Sequence, residues 1–204
     1  MNKQEHSEHK TRKSGEMQKD ETSVDSLITR LADKNGQTRE SARMRLLSIG
    51  KPAVPVLIEA LGDRNKLVRW EAAKALGQIQ DPIAAPPLVK ALRDKVFDIR
   101  WLAAESLIAI GSDSVVPIIQ ELLQFSDDPW LVQGAHHVLS HFAESDAIVP
   151  HHEYDHPTPR TKFNKVLKPL VLALEKIDPT VEVPLAAKAA FDELTRTRES
   201  TAST

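Results

Sequence analysis

The apolar residues of this chain follow a helical spacing that is interrupted by polar turns. Around the turn Gly62-Asp63-Arg64-Asn65, two apolar stripes consist of Val56, Leu57, Ala60 and Leu61 on one side, and of Val68, Ala72, Ala75, Leu76 and Ile79 on the other. Apolar residues at such spacings share one face of an α-helix. The turn residues accept left-handed backbone and local side-chain bonds. The pattern therefore predicts a hairpin of two helices.

This hairpin pattern recurs with a period of 30 to 31 residues. Residues Asp63, Arg69, Trp70, Ala72, Ala73, Leu76 and Ile79 recur at a step of 31 as Asp94, Arg100, Trp101, Ala103, Ala104, Leu107 and Ile110. The same step aligns Ala135 and Val138 with Ala104 and Leu107, and it puts Leu131 in the arginine position. Periods of this length are typical of solenoids, in which each unit buries its apolar face against its neighbours. We therefore predict an all-α solenoid of about five hairpins.

The ends of the chain and one internal segment depart from the period. Residues 1–22 contain five basic and five acidic side chains and almost nothing apolar, so a disordered tail is expected. We assign four repeats to residues 23–144, a loop rich in Pro and His to 145–161, and a divergent fifth hairpin to 162–195. The fifth hairpin is expected to cap the array, and residues 196–204 are expected to form a second disordered tail.

Composition and charge narrow the classes of function. The chain has no cysteine, which excludes thiolate zinc sites and Cys nucleophiles, and its net charge of -2 argues against nucleic acid as a partner. We find no apolar stretch that would suit a signal peptide or a membrane span, so a cytoplasmic location without membrane contact is expected. No phosphate loop or nucleophile motif is present, and we assign no catalytic residues.

The two stretches 68–77 (VRWEAAKALG) and 99–108 (IRWLAAESLI) resemble the HEAT family, in the short form found in phycobilin lyases and related bacterial proteins. The resemblance covers about residues 24–146 and implies a right-handed, armadillo-type superhelix whose second helices line the concave surface. It also implies a structural role for Arg39, Arg69 and Arg100, which would hold neighbouring repeats in register.

Two tryptophans occupy the same repeat position on the side of the second helices that faces away from the core. Trp70 lies roughly 160° from the apolar centre of its helix, and Trp101 is its equivalent. The predicted partner-binding groove consists of Trp70, Lys74, Trp101, Glu105, Ile108, Val132, His136 and Leu139. Tryptophan is a common interface anchor, so we predict a non-catalytic scaffold that binds a protein partner. Alternatively, each Trp fills space between adjacent second helices.

Two further functions remain open. The resemblance implies, as an alternative, a bilin lyase or chaperone subunit that acts on phycobiliproteins, with Arg100 and Lys74 as candidates for the propionates of the bilin. The second alternative is a divalent metal site. His137 and His141 are spaced i, i+4 on one helix, and His152 and His156 of the following loop could add ligands. The competing interpretation packs His137 and His141 against the core at the end of the last regular repeat.

Deoxyhypusine hydroxylases are also built from short HEAT repeats, and they hold two irons with His-Glu pairs near the start of second helices. In this chain the corresponding pairs are Trp70-Glu71 and Trp101-Leu102, which lack the ligand histidines. That activity is therefore not expected, and no cofactor is assigned to the favoured scaffold function. The oligomeric state is left open.

Overall fold

A computed structural model of the protein describes residues 23–144, 160–176 and 179–201, and these residues form ten α-helices and no strand. The helices are α1 Val24–Arg30, α2 Gly36–Ile49, α3 Val54–Ala60, α4 Lys66–Ile79, α5 Ala85–Ala91, α6 Phe97–Ile110, α7 Val115–Gln124, α8 Pro129–Glu144, α9 Arg160–Leu174 and α10 Pro179–Thr201. The predicted all-α fold is confirmed. The predicted tail 1–22 and most of the predicted loop lie outside the described residues.

Consecutive helices pair into hairpins, and the hairpins stack in two layers. The second helices α2, α4, α6 and α8 pack on one another in one layer, and the first helices α1, α3, α5 and α7 form the other. Within α3 the buried apolar residues are Val54, Leu57 and Ala60, whereas Val56 of the predicted stripe is only half-buried. The apolar core therefore runs between the two layers along the array.

The turns inside the hairpins are held by polar side chains. The Asp63 carboxylate accepts a hydrogen bond from the Asn65 N–H at 2.6 Å, and the Asn65 side chain accepts one from the Leu67 N–H at 3.0 Å. Such Asx turns and N-caps satisfy amide groups that the first turn of a helix leaves unpaired. Among the described residues, left-handed backbone occurs only at Gly50, Gln80 and Gly111, which follow second helices. The 62–65 turn thus forms without the left-handed backbone that its residues can accept.

Helices α4 and α6 approach each other closely at Gly77. A Cβ atom at this position would lie 2.7 Å from Ser106 Cβ and 2.9 Å from Ser106 Cα, which is closer than two carbon atoms can pack. The Ser106 hydroxyl donates a hydrogen bond to the Ala73 carbonyl oxygen of α4 at 3.0 Å. Small residues on both helices thus allow the second-helix layer to pack with little space between backbones.

Arginine side chains connect the first three units in the second-helix layer. Arg69 donates from Nε and Nη2 to the Asp94 carboxylate of the next unit at 2.7 and 3.1 Å. Arg39 donates from Nε to Glu71 at 3.1 Å, and Arg43 donates to the same carboxylate at 3.0 Å. These contacts agree with the register-holding role predicted for Arg39 and Arg69.

The predicted alignment of the fourth unit is wrong by one residue. The buried apolar residues of α8 follow those of α6 at a step of 32 rather than 31, since Leu131, Ala135 and Leu139 take the positions of Ile99, Ala103 and Leu107. Helix α7 has ten residues where α5 has seven, and the turn that follows α7 sets where α8 begins. A shift of one residue turns every side chain about 100° around the helix axis.

The fifth hairpin enters the two layers in the reverse order. Helix α9 packs against the second helix α8, and α10 packs against the first helix α7. Helix α10, the second helix of this hairpin, therefore lies in the first-helix layer rather than in the second-helix layer. The fifteen residues 145–159 separate α8 from α9, whereas short turns return the chain to the first-helix layer after the earlier units. Helix α10 also continues to Thr201, beyond the boundary predicted at residue 195.

Candidate functional site

Four of the predicted groove residues lie on the outer face of the second-helix layer. Trp101 is 50% exposed and Glu105 of the next turn is also exposed. Trp70 is half-buried, and the Lys74 Nζ lies 4.8 Å from the centroid of its indole ring. A cation over a tryptophan face is attracted by the ring quadrupole. The two tryptophans therefore differ, because Trp101 is the more exposed of the two.

The other four predicted groove residues lie elsewhere. Leu139 is fully buried in the core, and Ile108 and Val132 are half-buried and pack against the core. His136 points toward α9, where its Nε2 lies 3.3 Å from the Glu175 carboxylate. The shift in register explains the errors in α8, because the residues that follow Trp101 and Glu105 at a step of 32 are Gln133 and His137.

His137 lies on the outer face beside Trp101 rather than in the core. Its Nε2 lies 2.8 Å from Glu105 Oε1, and its ring centroid lies 4.7 Å from that of Trp101 at an interplanar angle of 38°. His141 is exposed one turn further along α8 and contacts the edge of the Phe142 ring at 5.4 Å. The interpretation that packed both histidines against the core is therefore wrong. In the corrected register, Lys74, Glu105 and His137 form one row across three helices.

Two exposed aromatic residues that the sequence analysis missed lie beside Arg100, which precedes Trp101 on α6. Phe97 is 57% exposed at the start of α6, and Trp130 is 43% exposed at the start of α8. The Arg100 guanidinium lies between them, 5.5 Å from the Phe97 ring centroid and 4.6 Å from the Trp130 ring centroid. The third tryptophan and its place in the first turn of α8 were signals that could have revealed this contact. We call Phe97, Arg100, Trp101, Trp130 and His137 the aromatic strip.

Arg100 makes only part of the contact that its equivalent Arg69 makes. Both donate from Nη1 to the carbonyl oxygen of the turn aspartate in their own unit, Arg69 to Asp63 at 2.9 Å and Arg100 to Asp94 at 2.8 Å. Among the residues that the structure describes, no carboxylate of the fourth unit pairs with Arg100. Its guanidinium rests on the aromatic rings instead, and the register-holding role predicted for Arg100 does not extend to an ion pair.

The aspartate that directly precedes α8 is engaged by another arginine. The Arg93 Nε donates to Asp128 at 2.7 Å, and the backbone amides of Trp130 and Leu131 donate to the same carboxylate at 3.0 and 3.1 Å. Burial alone would raise the pKa of the Asp128 carboxyl, but the hydrogen bonds from Leu131 and Arg93 outweigh it, and the pKa is lowered. The hydrogen bond to Asp128 raises the pKa of the Arg93 guanidinium.

The metal alternative is not tested by this geometry. Within the described part of the chain, no three His, Asp or Glu side chains come together in a group that could hold a metal ion. His152 and His156 lie outside that part, so the predicted four-histidine site stays a prediction. None of the described helices combines the length and apolar character that a membrane crossing requires.

Comparisons with known proteins agree with the repeat architecture. A family model described as HEAT repeats matches residues 24–108, and a model described as PBS lyase HEAT-like repeat matches residues 99–125. No curated protein matches the chain significantly. The two matches confirm the resemblance based on the sequence around Trp70 and Trp101, and with the stacked hairpins they confirm the α-solenoid. Residues 24–125 are therefore made of HEAT repeats, and residues 99–125 match a repeat of the PBS lyase type.

Proposed function

We propose that this protein is a non-catalytic interaction scaffold, and that its aromatic strip binds a segment of a partner protein. The observation that carries the proposal is the exposure of Phe97 and Trp101 on α6 and of Trp130 on the adjacent second helix α8, with the Arg100 guanidinium between the Phe97 and Trp130 rings. Large apolar side chains that are grouped on a surface typically mark an interaction site, whereas single ones need no explanation. HEAT arrays bind partners through extended surfaces of this kind.

The exposed rings offer enough area to anchor a partner. A Trp side chain buries roughly 200 Å² when it is fully covered, so covering the open half of Trp101 removes about 100 Å² from water. At about 25 cal/mol per Å² this contributes about 2.5 kcal/mol. Trp130 and Phe97 add similar amounts, and an Arg beside Trp rings is a frequent composition of binding hot spots.

The test compares the partner proteins that the wild type and a variant of the aromatic strip capture from an extract of the native host. We expect the Trp101→Ala/Trp130→Ala double variant to lose a specific partner that the wild type captures, with a melting temperature within a few degrees of wild type. Ile83→Ala is the matched control, because Ile83 is an exposed apolar residue in the turn before α5, outside the strip. Equal capture by the wild type and the double variant would contradict the proposal.

A bilin-handling role is a second candidate, supported by the match of the PBS lyase HEAT-like repeat over residues 99–125, which include Arg100 and Trp101. In this function the aromatic strip would hold an open-chain tetrapyrrole, with Arg100 and Lys74 near its propionates. Titration of a bilin at micromolar protein tests it. A shift of the visible absorbance that disappears in Trp101→Ala is expected, and an unchanged spectrum would exclude this role. The cytoplasmic location stays a prediction under either function.

A further inference from the structure

We propose that the partner segment is acidic, and that one of its Asp or Glu carboxylates binds the open edge of the Arg100 guanidinium. This inference rests on the proposed function and specifies the chemistry of the partner. The open edge consists of Arg100 Nε and Nη2, which have no hydrogen-bond acceptor among the described residues, while Nη1 donates to the Asp94 carbonyl oxygen.

The repeat itself shows which group fits this edge. In the first unit, the Nε of Arg39 donates to the carboxylate of Glu71, and in the second unit the Nε and Nη2 of Arg69 donate to the carboxylate of Asp94. In both cases the acid belongs to the following unit, and the Nη1 of the arginine binds turn carbonyls. Among the described residues, Arg100 repeats the contact with the aspartate carbonyl but has neither the second turn carbonyl of Arg39 and Arg69 nor the acid. A carboxylate supplied by a partner would complete the same arrangement.

Two carboxylates on the helices around this edge, those of Asp128 and Glu105, are already engaged. Asp128 accepts from Arg93 and from two backbone amides at the start of α8, so it serves the turn rather than Arg100. Glu105 lies on the outer face but is held by His137 at 2.8 Å. In the corrected register Val132 follows Arg100 at a step of 32, so the arginine series ends there. The open edge therefore arises where the fourth unit departs from the repeat.

The surroundings of Arg100 favour a bidentate acid contact. Its guanidinium is planar and lies against the rings of Phe97 and Trp130, which restrict its motion and exclude part of its hydration. A planar guanidinium of this kind pairs with a carboxylate through two parallel hydrogen bonds, and such charge-assisted bonds are the stronger class. Trp101 follows Arg100 directly on α6, so a partner with an acidic residue next to a large apolar residue can engage both.

The first experiment selects binding peptides from a random displayed library against the full-length protein. Peptides are kept when their capture is lost on Trp101→Ala, which ties them to the strip. We expect these peptides to be enriched in Asp and Glu beside an aromatic or branched apolar residue. Enrichment in basic or uncharged residues would overturn the acidic partner and leave the scaffold proposal standing. If no selected peptide depended on Trp101, the scaffold proposal itself would fail.

The second experiment measures the affinity of one selected peptide by calorimetry. Replacing the acidic residue of the peptide with the neutral amide should weaken its binding to the wild type by about tenfold or more. The same replacement should change its affinity for the Arg100→Gln protein little. Lys95→Gln is the matched control, because Lys95 is an exposed cation in the turn before α6. Lys95→Gln should bind the acidic peptide as the wild type does. If Lys95→Gln weakened binding of this peptide as much as Arg100→Gln, the attraction would be a general one between charges, and the bidentate contact would be overturned.

A final variant tests whether the N-terminal residues of the chain itself, which include five acidic side chains, cover the site. Deletion of residues 1–22 should leave the affinity for the selected peptide unchanged within about twofold. A gain of about tenfold or more would mean that this tail occupies the Arg100 edge in the full chain, and would overturn the partner-derived carboxylate. Circular dichroism of each variant before titration ensures that a loss of affinity is measured on folded protein.

Discussion

Glu71 is the charged residue on which the junction of the first two units most depends. Its carboxylate on α4 accepts from Arg39 at 3.1 Å and from Arg43 at 3.0 Å, both on α2. The side chains of Glu71 and Arg43 are only 4% and 6% exposed. Glu71→Gln keeps the size of the side chain and removes its charge, so the guanidinium of Arg43 would remain buried without its ionic partner.

The expected cost follows from these contacts. Breaking a buried ion pair by removing one partner typically costs about 3–5 kcal/mol, because it leaves an uncompensated buried charge. Arg43 would keep a hydrogen bond to the Gln78 side chain at 2.6 Å, and Arg39 reaches the surface, where water solvates it. We therefore expect Glu71→Gln to lower the free energy of unfolding by about 3 kcal/mol, at the lower end of this range.

Urea unfolding followed by circular dichroism measures this change. Glu40→Gln is the control, because Glu40 is exposed on α2 and its carboxylate lies 3.9 Å from the Arg43 guanidinium, so the control should cost well under about 1 kcal/mol. Hydrogen exchange should show that the lost protection is concentrated in α1 and α2, since a solenoid unit is stabilised by its neighbour. A cost below about 1 kcal/mol for Glu71→Gln would refute the reasoning.

Three further predictions concern packing, pH and register. Gly77→Ala should destabilise the protein by about 1–3 kcal/mol, because the new Cβ meets the backbone of α6. Gly36→Ala, in the open first turn of α2, should be nearly neutral, and thermal melts of both variants measure the difference. Because the pKa of Asp128 is lowered by folding, the stability difference between wild type and Asp128→Asn should be present at pH 7 and shrink as the pH falls below about 4; urea midpoints that differ equally at pH 7 and pH 3 would contradict this. Leu139→Ala should cost about 2–5 kcal/mol and Gln133→Ala less than about 0.5 kcal/mol, if α8 has the register described; similar costs for both would mean that the register is wrong.

The sequence alone was enough to predict the hairpins and much of the outer face of α6. Helical spacing of apolar residues is a local signal, and the period of 30 to 31 residues repeats this signal several times along the sequence. Trp101 and Glu105 were therefore assigned to the outer face, where the structure has them. The same step failed in α8, because the length of the preceding helix and turn decides where α8 begins. Leu139 was consequently predicted in the groove although it is buried.

The site depends on contacts that no local pattern contains. Arg39, Arg69 and Arg100 look alike in the sequence, but two of them meet a carboxylate of the next unit and the third rests on Phe97 and Trp130. The difference depends on which side chains α8 presents to α6, and that follows from its register.

What the sequence by itself determined is the class of element, the period and the family, since these follow from side-chain spacing along one helix at a time. Tertiary structure decided the rotation of α8, the reversed layers of α9 and α10, and the open edge of Arg100. The physical reason is that burial is shared between helices distant in sequence. One residue in a turn, or one long connection, changes which faces meet without changing the helical pattern of any single segment.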